Sequence, residues 1–146
     1  MMSIRRARSE DLRSILRIEK ISFVRDAWDR ELFLDYLAHP DSSLFLAATV
    51  DRAVVGYVIA FQGETRAEVD SIAVAPAKRG RGVAIALLKR VIGLLRQRGL
   101  RTVSLNVRLE NKTAIRLYRK LGFQRARRVN GYYEDGASAW RMRKSD

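Results

Sequence analysis

The chain contains no cysteine and one histidine, His39. The first absence excludes a disulfide framework, a thiolate metal site and a cysteine nucleophile. The second leaves neither a Ser-His-Asp arrangement nor a multi-histidine metal centre enough material, so no metal is expected. Proline is scarce too, with Pro40 and Pro76 standing singly between ordered-looking stretches. No uninterrupted apolar run nears the ~18 residues that a membrane span needs. Arg5, Arg6 and Arg8 are not followed by the apolar stretch of a secretion signal. The expectation is a soluble, cytoplasmic protein without a membrane partner.

Acidic side chains are the other scarcity, and it is local. Over 146 residues, 29 Lys and Arg face 16 Asp and Glu, a net charge of +13. Residues 1–73 carry 10 basic and 12 acidic side chains, residues 74–146 carry 19 and 4, and between Ser71 and Tyr133 the only acid is Glu110. Such a half suits an anionic partner, whether nucleic acid, a membrane surface or a phosphate-bearing small molecule, unless it is only a highly soluble face. The length suits one domain over residues 1–146, since domains run to roughly 100–200 residues. A composition of 47% hydrophobic and 31% charged residues is that of a globular chain.

What is present reads as strands and helices in turn. Residues 3–7 predict a short strand, with Ser9 capping a first helix to about Phe23 and Glu10 and Asp11 in its first turn. Asp29 predicts the cap of a second helix with Leu32, Phe33, Tyr36 and Leu37 on its apolar face. The loop between them carries Phe23, Asp26 and Trp28, its aromatics expected to be exposed. Residues 44–50 and 53–61 form a hairpin about Asp51-Arg52, and 68–75 form a strand stopped by Pro76. The longest helix spans 82–98, with Val83, Leu87, Leu88, Val91 and Leu95 on one stripe. In 101–108, Val103, Leu105 and Val107 alternate with Thr102, Ser104 and Asn106. Residues 111–121 are helical and close at Gly122. Residues 123–133 and 137–143 read as a hairpin turning at Asp135-Gly136. The order β-α-α-β-β-β-α-β-α-β-β predicts an α/β chain with an antiparallel start and one helical crossover.

Chemistry concentrates at Arg79-Gly80-Arg81-Gly82-Val83-Ala84, between a strand and the long helix. Two glycines allow close backbone approach, and the first N–H groups of the helix lack partners within it, a ready pyrophosphate site. The stretch Ser71-Ile72-Ala73-Val74-Ala75-Pro76, with these residues after it, resembles the acetyl-CoA motif of the GNAT superfamily of N-acyltransferases. Leu105-Asn106-Val107-Arg108, Asn111 and the run from Ala114 to Phe123 resemble the second half of that family's cofactor site. Glu19, Phe23, Trp28 and residues 131–136 are similar to its N-terminal-amine branch, which acts on ribosomal-protein alanine. The resemblance implies a mixed sheet of about seven strands flanked by about four helices, with acetyl-CoA as cosubstrate and no metal.

It also implies roles. Backbone groups of Ile72, Ala73 and Val74 hold the pantetheine arm. The N–H groups of Gly80, Arg81, Gly82, Val83 and Ala84, beside Arg79, hold the pyrophosphate. Asn111 bonds the cofactor or simply caps its helix, and Tyr118 gives a proton to the departing thiolate or is only a core aromatic. That branch carries its glutamate base where this chain has Asn106, which cannot take a proton. Glu68 is the nearest replacement, Asp70 shares its strand face, and Asp26 is a weaker candidate. Phe23, Trp28, Asn106, Tyr132 and Tyr133 are the expected substrate contacts. The implied acceptor is a protein or peptide N-terminus, ribosomal protein included. Alternatives are a small-molecule amine or lysine, or a non-catalytic acyl-CoA-sensing or ribosome- or RNA-binding module. Monomer and homodimer are both compatible with the pattern.

Overall fold

A computed structural model describes residues 1–23 and 25–145. In chain order the elements are β1 (Met2–Arg6), α1 (Leu12–Ser22), α2 (Arg30–Ala38), β2 (Ser43–Val50), β3 (Ala53–Gln62) and β4 (Arg66–Val74). Then follow α3 (Val83–Gln97), β5 (Thr102–Arg108), α4 (Lys112–Lys120), β6 (Gln124–Val129) and β7 (Ala139–Ser145). The strands form one seven-stranded sheet in the order β1-β2-β3-β4-β5-β7-β6. Only β4 and β5 pair in parallel, joined by the α3 crossover, and every other neighbour is antiparallel. No helix is long and apolar enough to cross a membrane among the described residues.

Strand alternation sends apolar side chains to both faces. On one, Val58, Ala60, Val69, Val103 and Leu105 meet Val83, Leu87, Leu88 and Val91 of α3 with Ile115 and Tyr118 of α4. On the other, Phe45, Tyr57 and Ile59 meet Leu12, Ile15 and Ile18 of α1 and Phe33 of α2. Each fully buried aliphatic or aromatic side chain adds about 1.5–3 kcal/mol, so these two layers hold the sheet between helices. Gly56 sets how closely α3 lies. A Cβ there would come within 3.1 Å of Val83 Cγ1 and of the Ala73 carbonyl. Glycine therefore lets the start of α3 rest on β3, beside the end of β4.

Two expected boundaries move. Ser9 does not cap the first helix, because its hydroxyl goes to Glu10 (2.9 Å). Asp11 instead accepts the Arg8 N–H (2.8 Å) and both ends of the Arg5 guanidinium (2.7 and 2.9 Å), and a short 3-10 turn precedes α1. The guanidinium holds the Asp11 carboxyl below the usual carboxylate range. The closing hairpin also ends early. Val129 pairs with Ala139, and residues 130–138 form a loop. Gly131 and Gly136 adopt positive φ of 62° and 87°, and Asp135 turns its carboxylate to Arg108, so the ladder does not reach Tyr133.

Candidate active site

The parallel pair β4–β5 holds together at one end only. Its ladder runs from Arg66↔Thr102 to Val69↔Leu105, beyond which residues 70–74 and 106–108 are unpaired with each other. A gap therefore opens in mid-sheet. At that point Ala60 pairs with Val69 and Ile59 with Ser71, leaving Asp70 as the extra residue of a bulge. Bulges re-aim side chains and are common beside functional sites.

The phase of the ladder decides what lines the gap. The Ala75 N–H donates to the Val55 carbonyl at 2.8 Å, and pairing is regular from there back to Ser71. Antiparallel strands turn the backbone groups of alternate residues toward the same neighbour. Ala73 and Ala75 thus bond β3, whereas Ile72 and Val74 aim theirs into the gap. Ala73, expected among the cofactor contacts, offers it no backbone group, and its methyl is buried on the α1 side. The Val74 carbonyl is also engaged, because Arg79 Nε donates to it at 2.9 Å and Arg79 Nη2 to Ser22 Oγ at 3.0 Å. Arg79 is thereby a clamp on the strand end and is not a free phosphate ligand.

From Arg79 the chain turns through Gly80 and Gly82, at φ 77° and 82°, into α3. A Cβ at either would meet nothing within 4 Å, so left-handed backbone and not crowding selects glycine. The first bond within α3 is Ala86 N–H to the Gly82 carbonyl at 3.0 Å. The N–H groups of Val83, Ala84 and Ile85 consequently have no partner inside the helix and sit at its positive end, next to exposed Arg81. Unpaired backbone in the gap, leading to a helix N-terminus, fits an extended arm that ends in a pyrophosphate.

Tyr118 lies on α4 with 7% exposure, its ring edge-on to Phe123. Burial pushes its phenol up to about 12, and Tyr133 adds to the shift. Its hydroxyl has no hydrogen-bond partner among the described residues, yet no fully buried side-chain polar atom there lacks one. The hydroxyl therefore reaches the cleft surface. Asn111 caps α4 through its Oδ1, which accepts the Ala114 N–H at 3.2 Å.

The opposite wall carries the carboxylates. The Tyr36 hydroxyl donates to Asp70 at 2.6 Å. Burial raises the Asp70 pKa, the Tyr36 bond opposes this, and Glu68 adds to it. Glu68 instead accepts from Arg141 Nη2 at 2.9 Å, while Arg141 Nη1 donates to Asn106 Oδ1 at 3.3 Å. Asn106 Nδ2 in turn donates to the Tyr132 hydroxyl at 3.1 Å. The two expected bases thus differ, one held by a phenol and the other by a guanidinium. Asp26 is likewise committed, to Arg108.

The aromatics are less exposed than expected. Trp28 stacks on Tyr36, with ring centroids 5.6 Å apart, and Phe23 packs on the α1 core layer. Glu19 fixes this loop from beneath. It is 2% exposed, accepts the Trp28 N–H at 2.9 Å and takes bonds from Tyr57 and Ser71. Burial pushes its pKa up against those bonds. Tyr132, 50% exposed, and Tyr133 contact edge to face at 4.9 Å.

Sequence reading assigned no role to Arg108, Arg141 or the Tyr36 hydroxyl. Arg108 pairs with Asp26 and with Asp135 (3.0 Å) while its guanidinium lies 4.1 Å above the Tyr133 ring. It thereby ties the α1–α2 loop to the β6–β7 loop. Its position at the end of an alternating strand was the available signal. Arg141 and Tyr36 gave none, because one depends on β5–β7 register and the other sat in an apolar helix stripe.

Residues 9–123 match the acetyltransferase (GNAT) family. Among solved structures, Ard1 from Thermoplasma volcanium is 32% identical, with a TM-score of 0.92 over 99% of this chain and 97% of that one. The ribosomal-protein-S18-alanine N-acetyltransferase from Escherichia coli is 29% identical, with a TM-score of 0.88 over 99% and 94%. The PaiA N-acetyltransferase from Thermoplasma acidophilum, in complex with coenzyme A, is 17% identical and shares the fold, with a TM-score of 0.82 over 100% and 99%. The fold is thus common ground with these proteins, and the chain belongs to the GNAT acetyltransferase family.

Proposed function

We propose that the chain transfers the acetyl group of acetyl-CoA directly to the N-terminal α-amine of a protein or peptide. The observation that carries this reading is the gap itself. It is lined by main-chain groups of Ile72 and Val74, leads to the open N-terminus of α3, and has a carboxylate on the opposite wall. Bound coenzyme A in the PaiA structure supports the cosubstrate. The ribosomal-protein specificity named for the E. coli relative supports an N-terminal acceptor.

The cosubstrate supplies an acyl group on a thiol leaving group. The residues of the chain do the rest. The N–H groups of Val83, Ala84 and Ile85 hold the diphosphate, and the Ile72 and Val74 amides align the arm. A neutral amine is needed for attack, and an α-amine titrates near ~7.7–8.0, so a base at hand raises the reactive fraction. Asp70 takes that proton, held in place by Tyr36, because burial raises its pKa while Glu68 is engaged by Arg141. Glu68 holds Arg141, which orients Asn106 and Tyr132 around the acceptor. Tyr118 donates a hydrogen bond to the departing sulfur.

Incubation with acetyl-CoA and a panel of peptides, N-terminally blocked lysine peptides and small amines tests the reading. Mass spectrometry should place acetyl on peptide α-amines. Turnover confined to small amines or to lysine side chains overturns it.

A further inference from the structure

α1 and α2 pack on β2, β3 and β4, which leaves the same face of β5, β7 and β6 to the β6–β7 loop and its own side chains. Register identifies what stands there. Arg141 pairs with Asn106 on one side and Arg127 on the other, and Arg143 pairs with Ser104 and Gln124. Side chains of paired residues share a face, and residues two apart repeat it. Arg141, Arg143 and Arg127 therefore stand on one face, beginning at the acceptor wall.

Like charges set directly opposite across strands destabilise a sheet. Among the described residues the one local relief is Glu68, which goes to Arg141. Arg127 and Arg143 are exposed and have no acidic partner among the described residues. Arg125 and Arg128, from the same strand, have other work. Arg125 lies 4.9 Å over the Trp140 ring, and Arg128 bonds Asn130 at 2.9 Å. Because Arg125 pairs with Met142, in the core beneath α4, it faces the opposite side. The basic charge of β6 is thus divided between two faces, which gives no continuous track for a nucleic-acid backbone. The spacing on the open face is that of a peptide, about 4.8 Å between strands and about 6.8 Å between alternate residues.

We propose that this face reads the acceptor beyond its first residues, and that the preferred acceptor is a chain with acidic side chains a few positions after its N-terminal amine. The proposal rests on the peptide reading above and names the substrate class of that site. Arg127 and Arg143 attract the carboxylates, while Arg141 links this surface to Glu68 in the cleft.

The test uses peptides sharing their first two residues, with acidic, neutral or basic residues at the following four positions. Acidic peptides should show kcat/KM about tenfold above neutral ones at low salt, falling toward parity as ionic strength rises. The Arg127→Gln/Arg143→Gln double variant should keep its melting temperature and its kcat/KM on the neutral peptide while losing the acidic preference. Equal use of all three peptides, or an acidic preference retained by the double variant, overturns the proposal and leaves the peptide reading standing. Acetylation of free amines but of no peptide overturns both. Binding of a short RNA oligonucleotide that is lost in the double variant, without any acidic-peptide preference, assigns the arginines to nucleic acid and overturns the proposal as well.

Discussion

Tyr36 and Asp70, 34 residues apart in sequence, meet through a 2.6 Å hydrogen bond on the wall of the β4–β5 gap. The phenol comes from a helix and the carboxylate from a bulge, so neither is placed by its own element alone. The pair extends to Trp28, stacked on Tyr36, and links the α1–α2 loop to the candidate base.

Asp70→Asn keeps an oxygen for Tyr36 but cannot take a proton. Turnover should fall on the order of 10²-fold, and the low-pH limb of the rate profile should flatten. Glu68→Gln should leave that limb in place and act mainly on acceptor KM, through Arg141. The stability sign is opposite to the activity sign. The folded-state pKa of Asp70 is raised, so its ionised form is disfavoured by the fold, and the stability its protonated form contributes is lost as pH rises through that pKa. At neutral pH the Asn variant should therefore melt no lower than the wild type. An unchanged acidic limb in Asp70→Asn would remove Asp70 as the base.

Tyr118→Phe removes a hydroxyl at the cleft surface while keeping the ring against Phe123. Turnover should drop about 10–100-fold with acetyl-CoA affinity intact, as expected for a group felt only in the transition state. A phenol pushed up to about 12 stays protonated through neutral pH, so no limb of the wild-type profile below about pH 10 should vanish in the variant. Titration calorimetry and steady-state rates measured together check both halves.

Arg108→Ala disconnects Asp26 from Asp135 and strips the cation from the Tyr133 ring. The two loops should part, raising acceptor KM about tenfold while acetyl-CoA binding is unaffected. Acid should mimic this weakly. The Ala137 N–H and then Arg108 hold the Asp135 carboxyl below its usual range, so its contribution is present above the ordinary carboxylate pKa and lost as pH falls through the lowered one. An unchanged KM in the variant would show that the loops are held without it.

Gly82→Ala tests the turn into α3. There is open space for the methyl but a φ of 82°, so the cost is conformational, about 1–2 kcal/mol. Melting temperature should fall, and acetyl-CoA affinity should weaken as the first N–H groups of α3 swing away. Gly93→Ala is the control. Its φ is ordinary and its surroundings are open, so it should raise stability slightly.

Element order was legible because apolar periodicity and punctuation agree locally. Asp29 caps α2 through the Leu32 N–H at 3.1 Å, Val103, Leu105 and Val107 face the core, and Asp51-Arg52 closes its hairpin between Val50 and Ala53. The glycine pair at the start of α3 was legible for the same reason. Contacts that depend on register were not. The bulge at Asp70 arises from how β3 and β4 pair, and nothing in the residues around it announces the slip. Arg141 reaches Glu68 across β5, a relation made by strand order alone. Arg79 looked like a phosphate ligand because it stands beside the glycine turn; only its bond to the Val74 carbonyl reveals the clamp. Phe23 and Trp28 looked exposed because their loop is polar, whereas Glu19 draws the loop down onto the core.

A strand edge with unpaired amides is ordinarily a template for another chain. The outer edge at β6 is guarded by its arginines, but the edge of β4 at Ile72 and Val74 needs no such guard. It lies inside the sheet, roofed by β5, and opens only where those two strands part. The unpaired stretch is short, residues 70–74 of β4 against 106–108 of β5. The interruption of the sheet thus leaves main-chain groups open at the centre of the molecule without presenting a free outer edge to a neighbouring chain.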